Sequence, residues 1–244
     1  MPSPITPAMS DRDLGRFTAD GFLVLPDLVP TATIEALRAE ADAVLERRLA
    51  EMVATKTPDP RVTWWRLASG HPYVLKVKPV VDLAPTVAAV ADDLRTAIAD
   101  LIGSAPRLME NKLMYKQVVD VAAGWAGLPV LGEEVCKHTD AAYFSARGYP
   151  RVLTVAVCLD PCTERAGALR VWPGSHRRTI NMVATDNQGP VVPDAEAPDD
   201  AAVTLLAAPG SVLAWDSALV HASGPNTSGR PRRLLVLGYA PGGS

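Results

Sequence analysis

Aromatic residues make up only 5% of the 244-residue chain, charged residues only 21%, and neither sign of charge dominates. The formal net charge is −3 and the pI about 5.8. No basic stripe or lysine-rich amphipathic segment is visible, which argues against nucleic-acid and membrane-surface partners. Every apolar run is too short to cross a bilayer. The polar stretch 1–16, with Asp11, Arg12 and Asp13, lacks the apolar core of a secretory signal. Cysteine is nearly absent. Cys136, Cys158 and Cys162 are odd in number and contain no CxxC pair, so a disulfide framework is not expected and a reducing cytoplasm fits. Their spacing gives a Cys/His zinc site little support. Histidine is equally scarce: His71, His138, His176 and His221 are the full set, which makes their contexts informative.

What is present is a 48% hydrophobic chain long enough to fill one core. Residues 22–25 are a short apolar run read as a strand. Ile34, Leu37, Ala41 and Val44 recur at three- and four-residue steps and predict a helix over 31–49, capped by Thr31 or Thr33. Val87, Val90, Leu94, Ile98 and Leu101 predict a second helix ending at Gly103. Between them, 55–66 reads as a loop containing Pro58, Pro60, Trp64 and Trp65. Beyond residue 110 the character changes to short β-prone runs at 112–119, 137–144, 152–159, 168–172, 202–206, 211–215 and 232–239, divided by turn residues. Helices first and strands later argue against an alternating βαβ fold. The Pro- and Asp-rich stretch 187–200 reads as a mobile surface loop. No repeat or inter-domain linker is visible. The expectation is one domain over 1–244, with 1–110 as helical support and 111–244 as a β core.

His138-Thr139-Asp140 lies in one of the β-prone runs. Side chains two apart on a strand share a face, so an imidazole and a carboxylate converge there. With a distant histidine such as His221 they form the two-His, one-carboxylate set that non-haem Fe(II) oxygenases use. Arg232, eleven residues after His221, can pair bidentately with a carboxylate, and Ser223 can add a hydroxyl. That combination suits 2-oxoglutarate. Each residue also has an ordinary reading. His138 could be a hydrogen-bonded strand histidine, Asp140 a turn carboxylate, His221 a loop residue and Arg232 a surface arginine in the run Arg230-Pro231-Arg232-Arg233. An HxD triplet alone carries little weight.

Together, 20–25 (DGFLVL), His138-Thr139-Asp140, 167–176 (GALRVWPGSH) and 221–227 (HASGPNT) through Arg232-Arg233 resemble the phytanoyl-CoA dioxygenase (PhyH-like) family of Fe(II)/2-oxoglutarate-dependent oxygenases. The phrases follow the family's order and span nearly the whole chain. The resemblance implies a mainly β fold, a double-stranded β-helix (jelly roll) with N-terminal helices packed on one sheet. It implies that His138, Asp140 and His221 bind Fe(II). It also implies that Arg232 and Ser223 hold the distal carboxylate of 2-oxoglutarate, with Lys76 as a further basic contact. His176, in the PGSH turn, is expected to be structural. O2 would be the second cosubstrate, and succinate and CO2 the co-products.

Related halogenases carry a small residue in place of the carboxylate, so Asp140 implies hydroxylation or another oxygenase outcome. Trp65, Asn111, Lys116 and Tyr143 are candidate substrate contacts. A small specialised metabolite is the expected substrate, with no protein partner. Three rivals remain at this level: an oxidative cyclase or epimerase using the same cosubstrate, a zinc hydrolase with the same ligands, and a non-catalytic jelly-roll binding protein.

Overall fold

The computed structural model describes residues 5, 9–66, 72–103, 105–117, 134–185 and 189–242. It opens with a helix the sequence reading did not anticipate, α1 (Asp11–Asp20). Ser10 and Asp13 form a reciprocal capping box, each side chain accepting from the other's backbone N–H at 3.2 Å. Only Phe17 of this helix is buried, so its periodic signal is weak. Gly21 ends it with φ 83°, and the ring of His176 occupies the space a Cβ would need. His176 thereby takes the structural place expected of it, its Nε2 3.3 Å from the Thr18 carbonyl.

Strand β1 (Phe22–Leu25) and helix α2 (Thr31–Thr55) follow. Helix α2 runs past the expected end at 49, and neither Thr31 nor Thr33 caps it. Pro30, with φ −57°, opens the helix without a side-chain hydrogen bond. The expected loop at 55–66 contains a strand, β2 (Val62–Arg66), paired with β3 (Pro72–Val77). The second predicted helix is two, α3 (Pro85–Ala97) and α4 (Ala99–Ile102), broken at Ile98 and closed by Gly103 at φ 73°. Glu40 of α2 accepts from the N–H groups of Thr86 and Val87 and so caps α3.

The remaining elements are β4 (Pro106–Lys116), β5 (Val135–His138), α5 (Asp140–Ser145), β6 (Leu153–Cys158), β7 (Leu169–Val171), β8 (Val203–Leu205), β9 (Val212–Asp216), β10 (His221–Ser223) and β11 (Arg232–Pro241). They form an antiparallel seven-stranded sheet ordered β1-β9-β6-β11-β4-β3-β2 and a four-stranded sheet ordered β5-β10-β7-β8. This is the two-sheet jelly roll expected from the sequence. Helices α2 and α3 cover the outer face of the large sheet, burying Leu37, Val44, Val87 and Leu94 against Leu113, Tyr115, Val155, Leu235 and Leu237. The opposite face, carrying Ala156, Leu213, Trp215, Leu234 and Val236, looks toward the small sheet. Covered on both faces, β6 is buried at every position. Strands β1, β2 and β3 come from the first 110 residues, so the helical support and the β core interleave rather than divide at 110.

Residues 187 and 188 of the expected loop lie outside the described residues. The rest of that stretch is anchored. The Val192 N–H donates to the Lys137 carbonyl at 2.7 Å, and Val192 and Ala197 are buried against Trp172, Val220 and Ala222. No helix among the described residues is long and apolar enough to cross a membrane.

Candidate active site

His138 is the last residue of β5 and is the direct cross-strand neighbour of His221, the first of β10. Antiparallel neighbours point the same way, so the two imidazoles face each other with ring centroids 4.2 Å apart. Asp140 reaches them differently from the expected strand geometry. The chain leaves the strand at Thr139, and Asp140 is the first residue of α5. The strand-to-helix corner, not two-residue alternation, turns its carboxylate toward the pair. Asp140 Oδ1 lies 3.7 Å from His138 Nε2 and 3.8 Å from His221 Nε2.

Each ligand is oriented from behind. His138 Nδ1 donates to the Cys136 carbonyl at 2.8 Å, and His221 Nδ1 to the Leu219 carbonyl at 3.0 Å. Both Nε2 lone pairs are thereby directed inward. Asp140 Oδ2 accepts from the Thr154 hydroxyl at 2.9 Å and the Trp215 indole N–H at 3.2 Å. Oδ1 is left for the pocket. Burial, reinforced by neighbouring His138, pulls the His221 pKa down to about 4, so the ring is neutral at pH 7. Burial works against the charge of Asp140, but His221, the contact with His138 and nearby Lys112 outweigh it and hold the carboxyl below the usual range. Two imidazoles and one carboxylate, with ligand atoms all within 4.8 Å of one another, fit a divalent cation. Adjacent donors around an ion bound at about 2.1 Å lie about 3 Å apart, so small inward rotations complete the site.

The triad opens into a partly enclosed cavity. Lys112, Met114 and Lys116 line it from β4, and Arg232, Leu234 and Val236 from β11. Arg232 is buried and pairs in register with Lys116. Its guanidinium donates to the Gly167 carbonyl at 2.6 Å. The Lys116 ammonium donates to the Gly224 carbonyl, and Asn226 donates to the Lys116 carbonyl at 3.1 Å, which ties the Gly224-Pro225-Asn226 turn to this corner. Gly167, at φ 69°, lies against the Gly224 carbonyl and leaves no room for a Cβ. Ser223, also buried, lines the same cavity.

The structure thus gathers His138, Asp140, His221, Ser223, Arg232 and Lys116 around one space. Asn111 is a correction. It faces away from the cavity and accepts from the N–H groups of Val80 and Val81 at 2.6 and 3.0 Å, a structural role. Its odd parity with the core residues Leu113 and Tyr115 on β4 was the available signal. Tyr143 is at the rim on α5, about half exposed. The Trp65 side chain lies outside the described residues. Lys76 sits on β3 opposite Met114, not beside Arg232. Thr154, Trp215 and Lys112 were missed by sequence reasoning, although the inward parity of Trp215 on its strand was readable.

A family model described as phytanoyl-CoA dioxygenase (PhyH) matches residues 17–234. The ectoine dioxygenase of Sphingopyxis alaskensis is 26% identical over 254 aligned residues, covering 95% of this chain and 76% of that protein. The crystal structure of EvdO2 from Micromonospora carbonacea var. aurantiaca complexed with 2-oxoglutarate superimposes with a TM-score of 0.70 at 22% identity, covering 98% of this chain and 94% of that one. That of EctD from S. alaskensis with bound Fe gives 0.71 at 22% identity, covering 98% and 82%.

Proposed function

Because the chain belongs to the phytanoyl-CoA dioxygenase family and is an Fe(II)/2-oxoglutarate-dependent oxygenase, we propose that it hydroxylates a small specialised metabolite, with succinate and CO2 as co-products. The observation that carries this reading is the convergence of His138, Asp140 and His221 in a cavity that also holds the buried Arg232. His138, Asp140 and His221 would hold Fe(II), which when bound would supply the coupling of O2 reduction and 2-oxoglutarate decarboxylation to oxidation of a substrate C–H bond. The protein's own part is positional. Cys136, Leu219, Thr154 and Trp215 fix the directions of the three ligands. Arg232 and Ser223 hold the distal carboxylate of the cosubstrate, and Lys116 beside them adds positive charge. Met114, Leu169, Leu234 and Val236 keep water from the space between.

Among the described lining residues Asp140 is the only carboxylate, so none of them is a second acid of the kind a zinc hydrolase would use as base. Three free cysteines support action in a reducing compartment. Cyclisation or epimerisation would use the same cosubstrate and separates from hydroxylation only by product analysis.

The test is anaerobic titration of the Fe(II) protein with 2-oxoglutarate, following the visible charge-transfer band of the chelate. A saturable band lost in His221→Ala supports the reading. No band, with no succinate formed under air, would overturn it.

A further inference from the structure

Cys158 and Cys162 are two buried thiols for which the proposed reaction has no use. Cys158 is the last residue of β6 and pairs in register with Leu234, two residues beyond Arg232 on β11. Within the next four residues the chain turns back on itself, and the two sulfurs lie 3.5 Å apart. One neighbouring segment holds both backbones. The Cys158 N–H donates to the Ser211 carbonyl and its carbonyl accepts from the Gly210 N–H, both at 2.9 Å, while Cys162 exchanges hydrogen bonds of 2.8 and 3.1 Å with Ala207. The sulfur contact is therefore built by the fold and not by a chance meeting of exposed side chains.

The two thiols differ in reach and in charge. Cys158 is fully buried in the apolar layer that holds Ala156, Ala168 and Leu205. Cys162 lines an open surface hollow together with Thr163, Glu164, Arg165, Leu206 and Ala207. Contact with Cys158 lowers the Cys162 pKa; burial and Asp160 oppose that, and the charges of Arg232 and Lys116 add to it. The same contact, with burial, pushes Cys158 up. A thiolate favoured by nearby cations, with a second thiol in reach, is the setting of an oxidation-prone cysteine. Cys162 also opens the turn that carries the acceptors of Arg232. The Ala166 N–H meets the Thr163 hydroxyl and carbonyl at 3.2 and 3.0 Å, and the Gly167 N–H donates to the Glu164 carbonyl at 3.0 Å, so 163–167 is one hydrogen-bonded unit. The Ala166 and Gly167 carbonyls accept from the Arg232 guanidinium at 3.4 and 2.6 Å. Gly167, packed against the Gly224 carbonyl, leaves that unit no slack.

We propose that Cys158 and Cys162 form a peroxide-reactive dithiol, a modification site whose oxidation, resting on the oxygenase reading, weakens 2-oxoglutarate binding through Arg232. The Cys162 thiolate attacks a hydroperoxide that enters the hollow. The O–O bond breaks, an alcohol (water, for hydrogen peroxide) leaves with the proton that Cys162 has shed, and Cys162 becomes a sulfenic acid. The Cys158 sulfur then attacks the Cys162 sulfur. The S–S bond forms, the S–O bond breaks, and water leaves with the Cys158 proton. Two electrons pass from the pair of thiols to the peroxide. The sulfurs must close from 3.5 Å to about 2.05 Å. Cys158 is fixed in the large sheet between β9 and β11, whereas Cys162 is held at one isolated bridge. Cys162 is therefore the side that moves, and the turn behind it carries the shift to the carbonyls that hold Arg232.

The experiment needs no knowledge of the substrate. The full chain is treated with hydrogen peroxide while free of metal, because iron would itself consume the oxidant. Peptide mapping by mass should find a Cys158–Cys162 bond that dithiothreitol reverses. In Cys158→Ala the reaction should stop at a sulfenic acid on Cys162, trapped by dimedone, and in Cys162→Ser no adduct should form on Cys158. After removal of the peroxide and anaerobic loading with Fe(II), the 2-oxoglutarate concentration that half-saturates the charge-transfer band should rise at least about tenfold, as expected when a hydrogen bond of a charged group is displaced. Reduction should restore it, and Cys162→Ser treated in the same way should keep its untreated value, which separates the bond from general oxidative damage. No Cys158–Cys162 bond, a dimedone adduct on Cys158 but not Cys162, or a bond with unchanged half-saturation would overturn the proposal. A reduced protein that gives no band would instead overturn the oxygenase reading, and the mapped bond would stand without it.

Discussion

Thr154→Val tests whether the orientation of Asp140 is what makes the triad a metal site. Valine keeps the shape of the buried threonine and removes the hydroxyl that donates to Asp140 Oδ2 at 2.9 Å. A hydrogen bond to a charged group contributes about 1.5–3 kcal/mol. The indole N–H of Trp215 remains at 3.2 Å, so the carboxylate keeps one partner and the loss should fall toward the lower bound. That bond also decides which oxygen faces the histidines. Without it the carboxylate can rotate, and part of the intrinsic metal affinity goes into restoring its orientation. Changes to such supporting partners lower metal affinity about 10- to 100-fold. Fe(II) or Mn(II) titration should therefore show at least about tenfold weaker binding in Thr154→Val, a smaller loss in Trp215→Phe, and near-recovery in Thr154→Ser. Circular dichroism and thermal unfolding confirm that each variant folds. Unchanged metal affinity in a folded Thr154→Val protein would refute the reasoning.

Three further outcomes follow from the same geometry. Arg232→Gln should raise the KM for 2-oxoglutarate at least about tenfold, the loss of a buried charge-assisted contact, while Fe(II) binding is retained; an unchanged KM would move the anchor elsewhere. The folded-state pKa of His221, about 4, lies below the ordinary 6.5. The unfolded chain then binds more protons between these values, and apo-protein stability should fall by about 3 kcal/mol as pH drops from 6.5 to 4; urea unfolding across that range should show this fall, and His221→Asn should flatten it. Lys76 likewise has a folded-state pKa, about 8, below its ordinary 10.5. Its charging is a cost of folding that is fully present below pH 8 and relieved as pH rises, so Lys76→Met should unfold at a higher temperature at pH 7 in a thermal melt, and an unchanged melting temperature would count against that cost.

The ligand residues were legible because histidine is rare here and because four phrases keep a fixed order along the chain. Their geometry was less so. His138 and Asp140 were assigned to one strand face, a rule that holds only while the backbone stays extended. The run Asp140-Ala141-Ala142 is a helix start, with an acid in the first turn and two strong helix formers behind it, and it turns the chain at Thr139. Asn111 was misassigned because the strand was begun at 112. Beginning it at Pro106 gives Asn111 the parity of buried Leu113 and Tyr115. Helix α1 buries one residue, and β2 follows two prolines, so neither offered enough periodicity to be seen. Thr154 and Trp215 were missed for a different reason. Both act through a hydrogen bond to another residue, and one sequence gives no sign of which acid a threonine or an indole will meet.

Strand β4 shows how one alternating pattern serves two ends of the site. Its odd positions, Leu113 and Tyr115, are buried under the helices, where the Tyr115 hydroxyl donates to the Ala41 carbonyl at 2.9 Å. Its even positions run Glu110, Lys112, Met114, Lys116 along the inner face. Apolar Met114, with Leu234 beside it on β11, separates a cation next to Arg232 from the cations around Glu110. Packing alone would favour apolar residues at all these positions, since half-buried lysines repel one another and give up hydration. Glu110 offsets that repulsion in direct contact with three cations, and with Asp140 it attracts Lys76 without such a contact. A stability cost that local packing does not explain, repeated on neighbouring strands and aimed at one opening, is the pattern expected where a ligand supplies the missing charge.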